Sequence, residues 1–186
     1  MIKPTWAKSH PLLEAYYENE WGKPSNDDRH LFEMLILEGF QAGLSWLTIL
    51  KKREAFKEAF LDFDYEKIAK FDDEDIERIL STEDMIRNKL KISCAIKNAA
   101  QYKTVQEEFG SFSNYLWSFV GRKPVVTNYD YETDIPVQND LSVLISKDLK
   151  KRGFKFVGPV IIYSYLQAVG VIDDRILHEQ NKLGGC

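Results

Sequence analysis

The spacing of apolar residues along the chain predicts a series of short helices. In most segments apolar residues recur every three or four positions, which places them on one face of a helix. Capping residues such as Ser, Asp or Asn precede these segments, and glycines follow several of them. The predicted helices cover residues 11–20, 30–39, 46–59, 65–71, 75–80, 87–108, 111–120, 140–152 and 158–169. The fold class is therefore expected to be all-α.

Residues 121–139 form the one long stretch without a helical pattern. This stretch contains a Val-Val-Thr run, which is typical of a short extended segment, and we expect it to cross between two closely packed helical lobes. The sequence has no internal repeat and no linker rich in Pro, Gly or Ser. A single domain over residues 1–186 is the expected organisation.

Composition is that of an ordinary globular protein, because 44% of the 186 residues are hydrophobic and 29% are charged. A chain of this length can bury a core without a disulfide or a metal. Its two cysteines, Cys94 and Cys186, are too few for a disulfide framework, which favours a reducing compartment. The N-terminus lacks an apolar signal region, and polar residues interrupt the longest apolar run, so we expect neither export nor a membrane span.

Charge is distributed unevenly along this acidic chain. The net charge of −4 alone argues against a protein that coats a polyanion. However, residues 62–84 contain ten acids, whereas residues 86–103 contain five cations and no acid, and residues 147–155 form a second basic run. Each run alone is typical of a solvated helix face. Together they suggest a surface that binds phosphates.

Glu38 occupies a position where the helical pattern predicts an apolar residue. It shares one helix face with Leu31, Met34 and Leu35, while Glu33 on the opposite face is expected to be solvated. A buried carboxylate without a partner is costly, so Glu38 is either exposed at the helix end, paired, or directed into a cavity that receives a ligand.

A turn with two glycines follows, over residues 39–46. Gly39 and Gly43 permit a positive φ angle or a close backbone approach. Two interpretations stay open: Leu44 and Trp46 pack in the core at a helix corner, or the loop presents Leu44 at the surface as a wedge.

Aromatic residues are concentrated in the first quarter of the chain. Trp6, Trp21 and Trp46 occur there with Tyr16 and Tyr17. Core packing is the common reason for such a concentration. Alternatively, aromatic faces beside Glu38 would suit a flat, cationic ligand through stacking and cation–π attraction. The three histidines have no metal-binding spacing, His10 and His30 are expected to be exposed turn residues, and no nucleophile elbow or phosphate-binding glycine loop is present.

Four separated blocks resemble the DNA-3-methyladenine glycosylase I family. The blocks are residues 19–22 (NEWG), 37–46 (LEGFQAGLSW), 117–120 (WSFV) and 150–158 (KKRGFKFVG), and the likeness runs from Trp6 to about Asp174. This resemblance implies the all-helical fold of the helix-hairpin-helix DNA glycosylase superfamily. It also implies excision of 3-methyladenine in base excision repair, by hydrolysis of the N-glycosidic bond, with an abasic site left in the strand.

The resemblance assigns roles to individual residues. Glu38 would be catalytic, and the base pocket would be formed by Tyr16 and Trp46, with Trp6 and Trp21 lining it. Leu44, flanked by Gly43, would fill the space that the extruded base leaves. A hairpin element at about residues 79–103 would hold the DNA backbone through Arg87, Asn88, Lys89 and Lys91.

The expected partner is double-stranded DNA with alkylated bases, bound by a monomer in the bacterial cytosol. Because no lysine nucleophile stands at the matched positions, the enzyme is expected to be monofunctional. Two alternatives stay open: a non-enzymatic helical DNA-binding protein that keeps the fold, and a glycosylase with altered base specificity.

The chain departs from the family at its ends. Members typically bind zinc through two Cys and two His residues, but the matching positions here are Pro4, Tyr17, Arg175 and Glu179. We therefore expect no metal cofactor. If the C-terminal segment is helical, Arg175 and Glu179 would pair, with Tyr17 beside the guanidinium, and residues 181–186 would be frayed.

Overall fold

A computed structural model describes residues 2–176 of the chain. This part of the protein is mostly helical, as the sequence predicts. Its α-helices are α1 (Thr5–Lys8), α2 (Pro11–Asn19), α3 (Asp28–Gln41), α4 (Trp46–Lys51), α5 (Arg53–Ala59), α6 (Tyr65–Ile68), α7 (Asp73–Ser81), α8 (Lys89–Phe109), α9 (Phe112–Ser118), α10 (Asp140–Lys151) and α11 (Pro159–Ala168). None of the helices within residues 2–176 combines the length and apolar character that crossing a membrane requires.

Side-chain caps define most helix starts. Asp27 accepts from the first turn of α3, Ser45 from that of α4, and Ser111 from that of α9, as the capping pattern predicts. Two boundaries differ from expectation. The predicted helix 46–59 is interrupted at Lys52, and both pieces bury apolar residues. The cap of α10 is Asn139, one residue before the predicted position.

Helix α3 continues two residues beyond Gly39, where the sequence analysis placed its end. Gly39 does not adopt a positive φ angle. It is a close-packing position instead, because a β-carbon there would lie 3.4 Å from the β-carbon of Phe156. The extension keeps Glu38 inside a regular helix.

The irregular stretch forms a short parallel pairing, which confirms its expected extended segment. Strand β1 (Val125–Val126) pairs with β2 (Ile172–Asp173) in the register Val125 to Ile172. A single 3₁₀ turn, Glu132–Asp134, follows. Through this pairing, the irregular stretch lies beside the C-terminal segment of the described chain.

One continuous hydrophobic cluster joins the two expected lobes, and α3 lies at its centre. Helix α3 packs against α4, α8, α9 and α11 and is buried on nearly every side. The hydroxyl of Tyr102 donates to the carbonyl of Asp28, and that of Tyr165 donates to the carbonyl of Leu31, at 2.7 and 3.0 Å. Glu38 is thus carried on a helix that is buried among its neighbours.

Candidate active site

A cleft of about 620 Å³ opens beside the last turns of α3. Five side chains predicted from the sequence to form a base pocket line it together: Trp6, Tyr16, Trp21, Glu38 and Trp46. They come from four helices, α1 to α4, and from the turn that follows α2. The structure therefore brings together residues that are up to 40 positions apart in the chain.

Three short helices position Trp6, Tyr16 and Trp46. Helix α2 starts with Pro11 after a His10 cap and directs Tyr16 inward, where its side chain is buried. Trp46 is the first residue of α4, and the Ser45 cap fixes its orientation through a 3.1 Å bond from the Thr48 N–H. Trp6 belongs to α1. Each element is short, so packing stabilises it rather than intrinsic helix propensity: α1 packs on α2, α2 on α4, and α4 on α3.

The aromatic rings form a contiguous wall around Glu38. Ring centroids lie 5.5 Å apart between Tyr16 and Trp46, and 5.6 Å apart between Trp6 and Trp21. These pairs are tilted or edge-to-face, which is the preferred geometry for aromatic contacts. The wall is rigid, and its π-faces suit a planar, positively charged group.

Three polar atoms in this cleft are buried without a hydrogen-bond partner: the Tyr16 hydroxyl, Glu38 Oε2 and the Trp46 indole nitrogen. Within residues 2–176, these are the buried side-chain polar atoms that lack a partner. Each such atom costs about 1–3 kcal/mol relative to a bonded one. Their concentration at one place indicates a site that a polar ligand completes.

Burial perturbs the ionisable groups of the cleft. It raises the pKa of Glu38 to about 8, because no cation offsets the loss of water around the carboxylate. Burial, followed by the nearby charge of Glu38, raises the pKa of Tyr16 well above its usual value. Glu38 therefore holds a proton at neutral pH in the free protein, and a cation in the pocket would favour its ionised form.

The C-terminal half of the chain also contributes residues that the sequence analysis did not assign to the site. Ser164, Gln167 and Asp174 line the cleft. Asp174 is buried and accepts from Thr127 and Gln167 at 2.6 and 2.8 Å, and from Tyr163. Ser164 and Gln167 are three residues apart on the apolar helix α11, and two polar residues on one face of such a helix indicate from the sequence that this face lines a cavity.

A half-buried ion-pair network includes Glu20, the residue next to Trp21 of the wall. Arg53 donates two bonds to Glu20, at 2.6 and 2.8 Å, and one to Glu33 at 2.7 Å. A nitrogen of His30 lies 3.0 Å from Glu20. Although burial opposes ionisation of Glu20, hydrogen bonds from His30 and Arg53 lower its pKa to about 2. The expectations that Glu33 is solvated and that His30 is an exposed turn residue are wrong, because both belong to this network.

The loop after α3 presents Leu44 at the surface. Gly43 has a φ of 81°, which a residue with a side chain adopts at a cost. The Leu44 N–H donates to the Gln41 carbonyl at 2.7 Å, and the Leu44 side chain is 40% exposed. Phe40, near the end of α3, is buried in the core, whereas Leu44 is not. The surface-loop interpretation of Leu44 is therefore favoured over the core interpretation.

Helices α7 and α8 pack together and are joined by residues 82–88, within the region predicted to form the hairpin. Asn88 caps α8 by accepting from the N–H of Lys91 at 3.0 Å. The side chains of Arg87, Asn88 and Lys89 are exposed, and Lys89 pairs with Glu77 at 2.9 Å. An exposed pair of this kind is weak and leaves Lys89 available to a stronger anion.

The position of Lys91 corrects its predicted role. Its side chain is buried and donates to the carbonyls of Phe40 and Ala42, both at 2.7 Å. Two of its three donors are thus used inside the protein, so its side chain is removed from the set of phosphate contacts. The second basic run is also partly structural, since Arg152 binds Glu108 and Asp148.

The family's zinc site does not fit the residues present. Pro4 has no ligand atom, and Arg175 is a cation that binds Asp173 through its Nε at 2.7 Å. The pairing of Arg175 with Glu179 was expected only if this segment is helical, and residues 174–176 are not helical. Glu179 and residues 181–186 lie outside the described chain. Within residues 2–176, no group of three or more His, Cys, Asp or Glu side chains is placed to hold a metal.

Near these positions the chain ends are held by protein contacts. The Ile2 N–H donates to the Ile176 carbonyl at 3.4 Å, and the Tyr17 hydroxyl donates to the Ile2 carbonyl at the same distance. Tyr17 stacks on Trp21 with ring centroids 5.4 Å apart. These contacts occupy the place where the family resemblance puts the metal.

A buried carboxyl among aromatic rings, beside a loop that exposes Leu44 and a turn that exposes cations, is the arrangement expected of a helical protein that receives a base extruded from DNA. The family model for methyladenine glycosylases matches residues 6–180. The chain belongs to this family.

Characterised relatives agree with this assignment. The chain is 45% identical over 172 residues to DNA-3-methyladenine glycosylase 1 of Escherichia coli K12, and 41% identical over 171 residues to DNA-3-methyladenine glycosylase of Haemophilus influenzae Rd. Each match covers 92% of both chains. A solved structure of a 3-methyladenine DNA glycosylase I variant in complex with 3-methyladenine is 39% identical, with a TM-score of 0.91 over 95% of both chains.

Proposed function

We propose that this protein excises 3-methyladenine from alkylated double-stranded DNA by hydrolysing the N-glycosidic bond, which leaves an abasic site. The observation that carries the proposal is the group of three unpartnered polar atoms, on Tyr16, Glu38 and Trp46, inside an aromatic cleft. Family membership and the names of the relatives support the same activity.

The chemistry of the lesion matches the cleft. Methylation at N3 makes an adenine nucleotide cationic while leaving it planar, with an amino donor and ring-nitrogen acceptors on its edges. Glu38 accepts from the amino group, and the Tyr16 hydroxyl and Trp46 indole N–H donate to acceptors. Aromatic faces stabilise the positive charge, and the base satisfies groups that are otherwise costly to bury.

Glu38 acts on the bond that breaks. Ionised opposite a cationic base, its carboxylate stabilises the positive charge that develops on the sugar as the glycosidic bond lengthens. The same carboxylate is the one group in the described lining of the cleft whose raised pKa suits it to direct a water toward the sugar. Among the described residues that line the cleft there is no lysine, which agrees with a monofunctional enzyme.

Weak pairing of the damaged base supplies part of the selectivity. A base that pairs poorly costs less to unstack, and Leu44 fills the space it leaves. The exposed end of the α7–α8 hairpin, with Arg87, Asn88 and Lys89, holds the DNA backbone through phosphate contacts that carry no sequence information.

We further propose that the protein works as a monomer, without a metal, in the bacterial cytosol where chromosomal DNA is accessible. The support is that the cleft is built from one chain, that the residues at the family's zinc positions do not fit a metal, and that the relatives named above are bacterial.

Chromatography of bases released from methylated duplex DNA tests the activity. Wild type is expected to release 3-methyladenine in preference to other methylated bases. Glu38→Gln preserves the size of the side chain and is expected to remain folded with most of the release lost. No base release by folded wild-type protein would favour the non-enzymatic alternative, and release of several methylated bases at similar rates would favour the altered specificity.

A further inference from the structure

Lys91 connects two parts of the molecule that the proposed mechanism uses separately. It lies in the first turn of α8, directly after the exposed hairpin residues. Its ammonium donates to the carbonyls of Phe40 and Ala42, which stand at the end of α3, between Glu38 and Leu44. A single side chain thus joins the DNA-facing hairpin to the loop that carries the wedge.

The carbonyls that Lys91 binds are ones that a helix end leaves without partners. The last four carbonyls of a helix have no intrahelical donor, and a cation is favoured at this negative end of the helix dipole. Within the last turn of α3 there is no basic residue, so the cation comes from α8. Burial lowers the pKa of Lys91, and the ring of Phe156 lies 5.9 Å from its nitrogen.

Contacts of Phe156 and Asn98 also hold helix α8 and the end of α3 in fixed positions near Lys91. Phe156 also packs on Gly39, the residue just before Phe40, whose carbonyl Lys91 binds. Asn98, two turns further along α8, holds the backbone of Lys155 through a pair of bonds at 2.8 and 2.9 Å. Helix α8 therefore positions both the end of α3 and the segment that packs against it.

We propose that Lys91 is a positioning residue that fixes the Leu44 loop relative to the hairpin, so that attachment of the hairpin to the DNA backbone sets where Leu44 enters the duplex. This inference rests on the proposed function. Its distinguishing consequence is that Lys91 acts through Leu44 in base extrusion, and contributes little to the initial, salt-dependent binding of DNA.

The first measurement is single-turnover excision from a methylated duplex. Lys91→Met fills the same space but donates no hydrogen bond, and is expected to slow excision about tenfold, because two carbonyls near the loop lose their donor. Its affinity for undamaged duplex, and the salt dependence of that affinity, should stay close to wild type. Lys97→Met, which alters an exposed lysine of the same helix, is the matched control and should excise at the wild-type rate.

A double-mutant cycle with Leu44→Ala separates positioning from general destabilisation. If Lys91 acts through the wedge, the double variant excises no more slowly than Leu44→Ala alone. If Lys91→Met slows the Leu44→Ala protein by the same factor as it slows wild type, the two residues act independently and the proposal is wrong. Lys91→Arg retains donors for both carbonyls and should recover most of the activity, whereas an Arg variant as slow as the Met variant would contradict the proposal.

A second readout does not depend on catalysis. A duplex with 2-aminopurine beside a tetrahydrofuran abasic analogue becomes more fluorescent when the wedge disturbs the stack. At saturating protein, wild type and Lys97→Met should raise the fluorescence, and Leu44→Ala and Lys91→Met should not. If wild type raises the fluorescence and Lys91→Met does not, while wild type releases no base, the proposed activity fails and the positioning role stands. If Lys91→Met raises it as wild type does, the positioning role fails. Should Lys91→Met not fold, Lys91→Leu, which also lacks a donor, replaces it in both measurements.

Discussion

In the proposed function, the base pocket and the hairpin bind the same DNA by opposite physical means. The pocket around Glu38 is buried, aromatic and poor in charge, and its recognition depends on a few polar atoms that lack partners. The hairpin end at Arg87 and Lys89 is exposed and charged. Groups in the first region are expensive to misplace, whereas those in the second are weak and interchangeable. Damage recognition therefore belongs to the pocket, and general DNA affinity to the hairpin.

The largest expected effect falls in the pocket. Glu38→Gln should lower single-turnover excision by about 100-fold or more, since it removes the charge that stabilises the developing cation. Its affinity for undamaged duplex should be unchanged. Excision at the wild-type rate in this variant would remove Glu38 from the mechanism.

The wedge should show an intermediate effect. Leu44→Ala is expected to excise about tenfold more slowly, because the space left by the extruded base is not filled. Initial binding should be spared, since Leu44 acts after contact with the backbone is made. Leu12 is exposed to a similar extent, so Leu12→Ala is a matched control that should leave excision unchanged.

The same glutamate makes folding stability depend on pH. Its folded pKa of about 8 exceeds the ordinary value of 4.5, so the folded protein retains a proton that the unfolded chain releases. This contribution is fully present below about pH 4.5 and is lost as pH rises to about 8, with a slope of up to about 1.4 kcal/mol per pH unit.

Denaturant unfolding of wild type and Glu38→Gln across this pH range tests whether the contribution of Glu38 to stability falls as the pH rises. The free energy of unfolding of Glu38→Gln relative to wild type should increase as the pH rises from 5 to 8. A difference between the two proteins that is independent of pH would show that Glu38 is already ionised in the free protein.

Sequence periodicity predicted the central helix and the position of Glu38 on its apolar face, because both follow from local spacing, but it left open whether the carboxylate is buried. Glu38 falls on the stripe of Leu31, Met34 and Leu35, and that stripe is buried. The roles of Glu33 and Lys91 were misjudged, because their partners are Arg53 and the carbonyls of α3, which lie elsewhere in the chain. A charged residue in a polar run resembles a surface residue until the fold supplies its partner.

The affinity of the hairpin for DNA should depend on its charge rather than on its shape. Arg87→Gln with Lys89→Gln is expected to weaken binding to all duplex sequences alike and to reduce the salt slope by about 1 for each lost phosphate contact. Lys97→Gln with Lys103→Gln, further along α8, is the control. A change in sequence preference, or an unchanged salt slope, would contradict the assignment of these cations to phosphates.

The smallest expected effect concerns metal. Pro4, Tyr17 and Arg175 do not fit a zinc site. A chelator should therefore leave the thermal melting temperature unchanged, and elemental analysis should find no stoichiometric zinc. A melting temperature that falls on chelation would show that another set of ligands holds a metal.

Calorimetric binding of free bases tests most directly the claim that the polar atoms of the pocket read the lesion. 3-Methyladenine is more basic than adenine, so the Glu38 carboxyl can form an ion pair with it. Wild type is predicted to bind 3-methyladenine at least about tenfold more tightly than adenine, and Glu38→Gln to lose most of this preference. Equal affinity of the wild-type protein for the two bases would contradict the account.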